Sequence, residues 1–218
     1  MKFQNKKLQI SCDGGAATGK STGAKMIAKK YRLKFLSSGL LYRYAGFLLI
    51  KKKPKNQIIF LKKKFKNLNH KKINKIDLHT PEISKKTTEI AKNNNIRKIL
   101  KIFQKKFSRN YKNCCIEGRD ISTKILPKSD IKFFFKCNLD IAAKRRYKEL
   151  KKKNKKIKFK DVKKALRIRN NQDIKRRFSP LKKHRNAIEI DTSKINKQAM
   201  LEKMSRYIDK VIEKKYGN

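Results

Sequence analysis

Short apolar runs alternate along the chain with longer stretches in which apolar residues recur every three or four positions. The first pattern reads as strand and the second as helix. Leu8 to Cys12 predicts a short buried strand, followed by a Gly-rich turn and a helix from Ser21 to about Lys30. Leu33 to Leu36 predicts a second strand. Ser38-Gly39 ends it, and an apolar helix follows to Ile50. Lys51 to Ile76 is Lys- and Asn-rich with one apolar run, Ile58 to Leu61, and predicts an insertion of loops and weak elements. Thr80-Pro81-Glu82 is a helix start: Thr caps, Pro suits the first helical position and Glu complements the dipole. The next helix carries one apolar stripe, Ile96, Ile99, Leu100, Phe103 and Phe107. Cys114 to Ile116 and Ile131 to Cys137 are nearly continuous apolar runs, as in strands covered on both faces. Leu139 to Leu150 is helical in pattern, Ala187 to Ile190 is a further strand, and Leu201, Met204, Ile208 and Val211 stripe a closing helix. Strands alternating with helices predict an α/β fold with a parallel sheet.

Composition changes this picture little. At 218 residues the chain has the length of one domain with a real core. No apolar run approaches the roughly 18 residues of a membrane helix. The longest near the start, Ala45 to Ile50, is far too short, and Leu8 to Ser11 is no signal-peptide core, so a cytoplasmic, membrane-free protein is expected. The formal charge is +48, which ordinarily suggests a polyanionic partner. Yet only 13 of the 64 basic residues are Arg, and Lys, Asn and Ile, all abundant, share AT-rich codons. The charge is also spread along the chain. Compositional drift accounts for it, and no specific nucleic-acid partner is expected. Cys12, Cys114, Cys115 and Cys137 form no CxxC pair and read as small buried hydrophobes. His70, His79 and His184 read as solvated surface groups.

Chemistry enters at Gly14-Gly15-Ala16-Ala17-Thr18-Gly19-Lys20-Ser21, which fits the phosphate-loop pattern G-x-x-x-x-G-K-[ST]. It follows a predicted strand and opens a predicted helix. Backbone N–H groups must close around phosphate oxygens, so the loop needs small side chains. The helix N-terminus adds positive potential. Lys20 reaches the β- and γ-phosphates of ATP, and the Ser21 hydroxyl serves Mg²⁺.

The loop identifies a donor and leaves the acceptor open. Glu117-Gly118-Arg119-Asp120 follows a buried strand, where ligands of open α/β sheets bind. Taken alone it is either an acceptor site or a surface Arg–Asp pair. Arg169, Asp173 and Arg176 fall at i, i+4 and i+7, one face of a helix if Asn170-Asn171 does not break it. Taken alone they are either lid residues or a solvated charged face.

Four ordered segments together resemble the bacterial cytidylate kinases over most of the chain. These are Leu8 to Thr22, Ser37-Ser38-Gly39-Leu40-Leu41-Tyr42-Arg43, Glu117-Gly118-Arg119-Asp120, and Arg169 to Leu181. The resemblance implies a nucleoside-monophosphate-kinase type of P-loop fold: a parallel sheet flanked by helices, an NMP-binding insertion and a helical lid. It implies one kinase domain, with core about 1–50, 113–150 and 186–218, insertion about 51–112 and lid about 151–185. By the same resemblance Gly14, Gly15, Ala16, Ala17, Thr18, Gly19, Lys20, Ser21 and Thr22 hold ATP. Ser38, Tyr42, Arg43, Thr88, Arg97, Arg119, Asp120, Arg169 and Asp173 hold CMP or dCMP. Lys20, Arg119, Arg145, Arg146 and Arg176 are the catalytic set. Arg43 and Arg119 clamp the acceptor phosphate, Arg97 and Asp120 read the base, and Asp173 meets the sugar. A monomer is expected.

Cytosine offers an amino donor at N4 and acceptors at N3 and O2. Asp120 and Arg97 complement that edge and mismatch uracil, at about 1–3 kcal/mol per unpaired buried group. The chain departs from the family pattern at Gly15 (usually Pro), Ser37 (Asp), His79 (Arg), Ser122 (Gly) and Asn170 (Asp). Two other readings stand beside this one: a kinase of another small acceptor, and a basic nucleic-acid-binding protein with a vestigial phosphate loop. No aromatic stacking motif supports the second.

Overall fold

The computed structural model describes residues 7–70, 73, 76–152 and 155–217. The basic residues before Lys7, together with 71, 72, 74 and 75 of the expected insertion and 153 and 154 of the expected lid, lie outside the described residues. The chain forms two compact units. The first comprises the chain up to Phe35 and from Lys112 onward, the second Leu36–Tyr111.

The first unit holds the sheet and its covering helices. Strands β1 (Gln9–Gly14), β2 (Lys34–Ser37), β3 (Cys114–Gly118), β4 (Ile131–Lys136) and β5 (Ile188–Asp191) run in the order β2-β3-β1-β4-β5. The sheet is parallel. A parallel sheet requires a crossover between successive strands, and the intervening helices provide it. Helix α1 (Lys20–Lys30) follows β1 and helix α8 (Lys197–Tyr216) closes the chain, and the two pack together. Ile10, Ile27, Phe133, Phe135, Met204 and Ile208 are buried in their shared core. Helices α6 (Leu139–Lys151) and α7 (Phe159–Lys175) pack on each other, and their small core of Ala143, Val162 and Leu166 takes in Ala16 of the phosphate loop.

The second unit is helical after the end of β2, with α2 (Ser38–Lys52), α3 (Gln57–Lys66), α4 (Pro81–Ile90) and α5 (Asn94–Asn110). Thr80 caps α4 as its sequence predicts, accepting from the Ile83 N–H at 3.2 Å. Helix α2 packs on α4 and α5, and α3 packs on α5 through an edge-to-face contact of Phe65 with Phe103.

Several expectations are corrected. The segment expected to hold only loops and weak elements contains α3, capped by Asn56, with Leu61 and Phe65 buried. Two buried positions one turn apart are enough to seat a ten-residue helix on α5. The break that Asn170-Asn171 left open does not occur, and α7 runs through both residues to Lys175. The buried stripe of α8 is Met200, Met204, Ile208 and Ile212, with Leu201 and Val211 only partly covered. His70 is half-buried, with its ring 5.0 Å from that of Phe107. The four cysteines are free thiols, three of them buried. Cys12 and Cys114 are both pushed up by burial, Cys114 to about 12, which keeps them protonated.

Candidate active site

The phosphate loop forms where β1 must turn sharply into α1. Gly14 has no side chain because a Cβ there would sit 2.6 Å from the Phe135 carbonyl oxygen on β4. Gly19 adopts φ 78°, a left-handed conformation that glycine takes without steric cost, and so begins α1 with no side-chain cap. The first-turn N–H groups of α1 face the loop instead, as in an anion site. The Thr18 hydroxyl donates to the Gly15 carbonyl at 3.1 Å and closes the loop on itself.

Lys20, at the first position of α1, is buried with its Nζ 3.2 Å from Glu117 Oε2. Burial lowers its pKa to about 8, Arg119 and Arg169 add to the effect, and Glu117 opposes it. Ser21 and Thr22 follow, half-buried. Beside the loop lies a cavity of about 640 Å³, lined in part by Gly15, Thr18, Asn138, Ile141, Asn170 and Ile174. That is the size of an ordinary small-molecule site. The Ala16 N–H donates to Asn170 Oδ1 at 3.0 Å, and a Cβ on Gly15 would lie 3.2 Å from that oxygen. Two departures from the family pattern, Gly15 and Asn170, are therefore in contact.

Next to β1, strand β3 ends at Glu117-Gly118, in register with Cys12 and Asp13. Arg119 and Asp120 leave the sheet at this end and lead into a single π-helical turn, Ile121–Ile125. The Arg119 Nε donates to Asp173 Oδ2 at 2.8 Å, and Arg176 donates to the other oxygen of the same carboxylate at 3.2 Å. Burial would raise the Asp173 carboxyl, but Arg119, Arg176 and Arg169 outweigh it and hold it below the ordinary carboxylate range. Arg176 lies just past the end of α7, and its Nε donates to the Ser179 carbonyl at 2.6 Å. Arg119, Asp173 and Arg176 thus meet, while Arg169 is half-buried one turn earlier on α7.

The arginine pair on α6 divides. Arg145 donates to the Thr192 carbonyl at 2.6 Å and to its hydroxyl at 3.0 Å, and that hydroxyl lies 3.0 Å from the Thr18 carbonyl oxygen. Arg145 therefore braces the phosphate loop through Thr192. Arg146 pairs with Glu149 on its own helix at 3.0 Å.

In the second unit, Arg43 is buried on α2 and donates to the Leu78 carbonyl and the Ser84 hydroxyl, both at 2.9 Å. Arg97, on α5, donates to the Ala91 carbonyl at 3.2 Å and lies over the Tyr42 ring, 5.4 Å from its centre. Thr88 donates to the Ser84 carbonyl at 3.1 Å. Ser38 opens α2 and is buried, and Ser37 caps that helix by accepting from the Leu40 N–H at 3.3 Å. A serine at 37 thus does the capping that aspartate does equally well.

The sequence motifs give no role to Glu117, Asp13 or Thr192. Glu117 and Asp13 are buried carboxylates near the ends of their strands. Nothing local marks Thr192, whose role depends on the approach of β5 to the loop. Asp13 is fully buried and receives hydrogen bonds from the Ile121 N–H, the Ser122 N–H and the Ser122 hydroxyl. Burial raises it to about 6 against the pull of those three donors.

The family model of cytidylate kinase matches residues 10–210. The chain belongs to the cytidylate kinase family. A cytidylate kinase of Bartonella tribocorum is 35% identical over 213 residues, spanning 95% of this chain and 97% of the relative. One of Clostridium tetani is 33% identical over 223 residues, spanning 97% and 98%. Among solved structures, a shikimate kinase from Acinetobacter baumannii aligns over 95% of this chain and 96% of its own at a TM-score of 0.51 and 13% identity. An uncharacterized protein from Eubacterium ventriosum aligns over 93% and 99% at 0.57 and 16%. These two likenesses show the fold alone. No helix among the described residues is long and apolar enough to cross a membrane.

Proposed function

We propose that the chain transfers the γ-phosphoryl group of ATP to CMP or dCMP, giving ADP and CDP or dCDP. One observation carries this reading beyond family membership. The phosphate loop and the Arg119-Asp120 loop leave the adjacent strands β1 and β3 at the same, carboxyl ends, with Lys20 in contact with the last side chain of β3. Donor and acceptor machinery therefore emerge on one edge of one sheet, where such folds bind ligands.

The loop from Gly14 to Thr22 takes the ATP phosphates, and the neighbouring cavity suits the adenosine. Mg²⁺ is a hard cation that binds through phosphate oxygens and one or two protein oxygens. The Ser21 hydroxyl and the Glu117 carboxylate are oxygen donors of that kind, and they are the residues that would hold it. When bound, Mg²⁺ supplies charge neutralisation at the transferring phosphoryl group. Lys20 moves from Glu117 to the β- and γ-phosphates.

On the acceptor side, Arg119 grips the CMP phosphate, Asp120 accepts from N4 of cytosine, and Asp173 accepts from a sugar hydroxyl. Arg169 and Arg176 add positive charge from the lid. In the second unit, Arg43 serves the phosphate, Arg97 donates to the acceptor edge of the base, and Ser38, Tyr42 and Thr88 complete the set. The acceptor phosphate has its second pKa near 6 and is mostly ionised at neutral pH, so no general base is needed. Catalysis then consists of holding two polyanions in line and neutralising charge. Arg145 contributes by bracing the phosphate loop. The proposed setting is the cytoplasm and the proposed working form a monomer.

A coupled ADP-release assay across CMP, dCMP, UMP, AMP and shikimate tests the reading. Turnover with CMP or dCMP well above the other acceptors is expected, and background rates with both would refute it. Asp120→Ala is expected to cut the CMP-over-UMP preference by about 10- to 100-fold, the equivalent of one unpaired buried group. ATP binding should stay nearly unchanged.

A further inference from the structure

We propose that Asp13 is a positioning residue for the acceptor side: its carboxylate locks the turn that aims Arg119 and Asp120. The inference rests on the acceptor roles proposed above.

Asp13 sits on β1 directly before the phosphate loop, fully buried, where an apolar side chain would be the economical choice. All three of its hydrogen bonds come from the two residues that follow Asp120. The Ile121 N–H donates to Oδ1 at 2.8 Å, the Ser122 N–H to Oδ2 at 2.7 Å, and the Ser122 hydroxyl to Oδ2 at 2.5 Å. These N–H groups belong to the opening of the π-helical turn, and no side-chain cap from Asp120 satisfies it. Helix openings need such a cap, and here it comes from a strand 108 residues away in sequence.

The consequence is geometric. β1 and β3 are already paired at Asp13 and Gly118. The segment between that pair and Ile121 is Arg119-Asp120 alone, so fixing Ile121 and Ser122 pins both its ends. The Arg119 and Asp120 side chains then start from a backbone with little freedom, before any substrate arrives. Preorganisation of this kind lowers the entropic cost of binding. Without the carboxylate, the two N–H groups would be buried with no acceptor, and the turn would have to rearrange. Ser122 adds the third donor, which the glycine usual in the family cannot supply.

The test uses the full chain carrying Asp13→Asn or Ser122→Ala. Steady-state parameters for CMP and for ATP are measured separately, together with amide hydrogen exchange at Ile121 and Ser122. Asparagine turns an NH₂ group toward a donor, so Asp13→Asn should raise KM for CMP about 30-fold, and Ser122→Ala about 5-fold. KM for ATP should stay within about twofold in both. Exchange at Ile121 and Ser122 should speed up about tenfold while phosphate-loop amides keep their rates. Equal increases in both KM values, or unchanged exchange at these two amides, would overturn the positioning role and reduce Asp13 to a general stabiliser. If Asp13→Asn does not fold, Ser122→Ala gives the same readouts with the carboxylate in place. If the unmodified protein turns over no CMP, the proposed function fails on its own. The exchange measurement then decides for or against the lock.

Discussion

The two units hold their site arginines in different ways. In the first, Arg119 and Arg176 both donate to the Asp173 carboxylate, so charge is met by charge. In the second, Arg43 donates to a carbonyl and a hydroxyl among its contacts, and Arg97 donates to a carbonyl and lies over the face of Tyr42. A carboxylate partner resembles a phosphate oxygen in charge, so under the proposed function an incoming phosphate dianion would compete with Asp173 for the same guanidiniums. Neutral partners fix a guanidinium in place without cancelling its charge. The first arrangement suits groups that exchange partners when substrate binds. Contacts of the second kind help to set a guanidinium in place before substrate arrives. Lys20, paired with Glu117, belongs to the first type, and under the proposed function it would leave that carboxylate for phosphate.

The largest expected effect comes from removing the exchanging cation of the phosphate loop. Lys20→Ala should lower kcat by at least about 10³-fold, because preorganised charge at the transferring group is gone. The circular dichroism spectrum should be unchanged, and near-normal turnover would remove Lys20 from the chemistry. Asp173→Asn tests the exchange idea more directly, since it keeps the shape and removes the charge. We expect kcat/KM for CMP to fall about tenfold and the melting temperature to drop, as Arg119 and Arg176 lose their half-buried counter-charge.

The pH dependence should separate the two types of residue. Lys20 has a pKa of about 8 in the free protein, lowered chiefly by burial. Above that value the amine is neutral and no longer attracts phosphate, so kcat/KM for ATP should fall as pH rises through about 8. Bound ATP raises the same pKa by its negative charge, so kcat should hold to higher pH. A kcat/KM profile flat to pH 10 would contradict the assignment. The smallest effect is expected in the second unit. Ser84→Ala removes one neutral partner of Arg43 and should raise KM for CMP about 3- to 10-fold with kcat nearly unchanged. A loss as large as that of Asp173→Asn would erase the distinction between the two kinds of support.

Much of this was legible along the chain. The strand–loop–helix at Gly14 to Ser21 is specified locally: small residues, a left-handed Gly19 and a lysine at the helix start act within a few residues of one another. The start of α4 at Thr80-Pro81 is equally local. Helix α3 was hidden because a lysine-rich surface swamps the two positions, Leu61 and Phe65, that seat it. The continuity of α7 through Asn170-Asn171 was hidden for another reason. Asn170 is held by the Ala16 N–H, a contact 154 residues away that no propensity anticipates. Arg145 and Arg146 look equivalent in sequence. They separate in the fold, because only Arg145 reaches Thr192.

Local spacing and chemistry therefore specified the phosphate loop and the alternation of strands and helices, and the resemblance of four ordered segments pointed to the family. Tertiary structure decided which residues support that site. Strand order β2-β3-β1-β4-β5 sets Asp13 beside Gly118 and Glu117 beside Lys20, pairings more than 90 residues apart. A buried carboxylate persists in a strand only where distant donors meet it. The residues show that a carboxylate is there, and only the folded sheet shows what it holds.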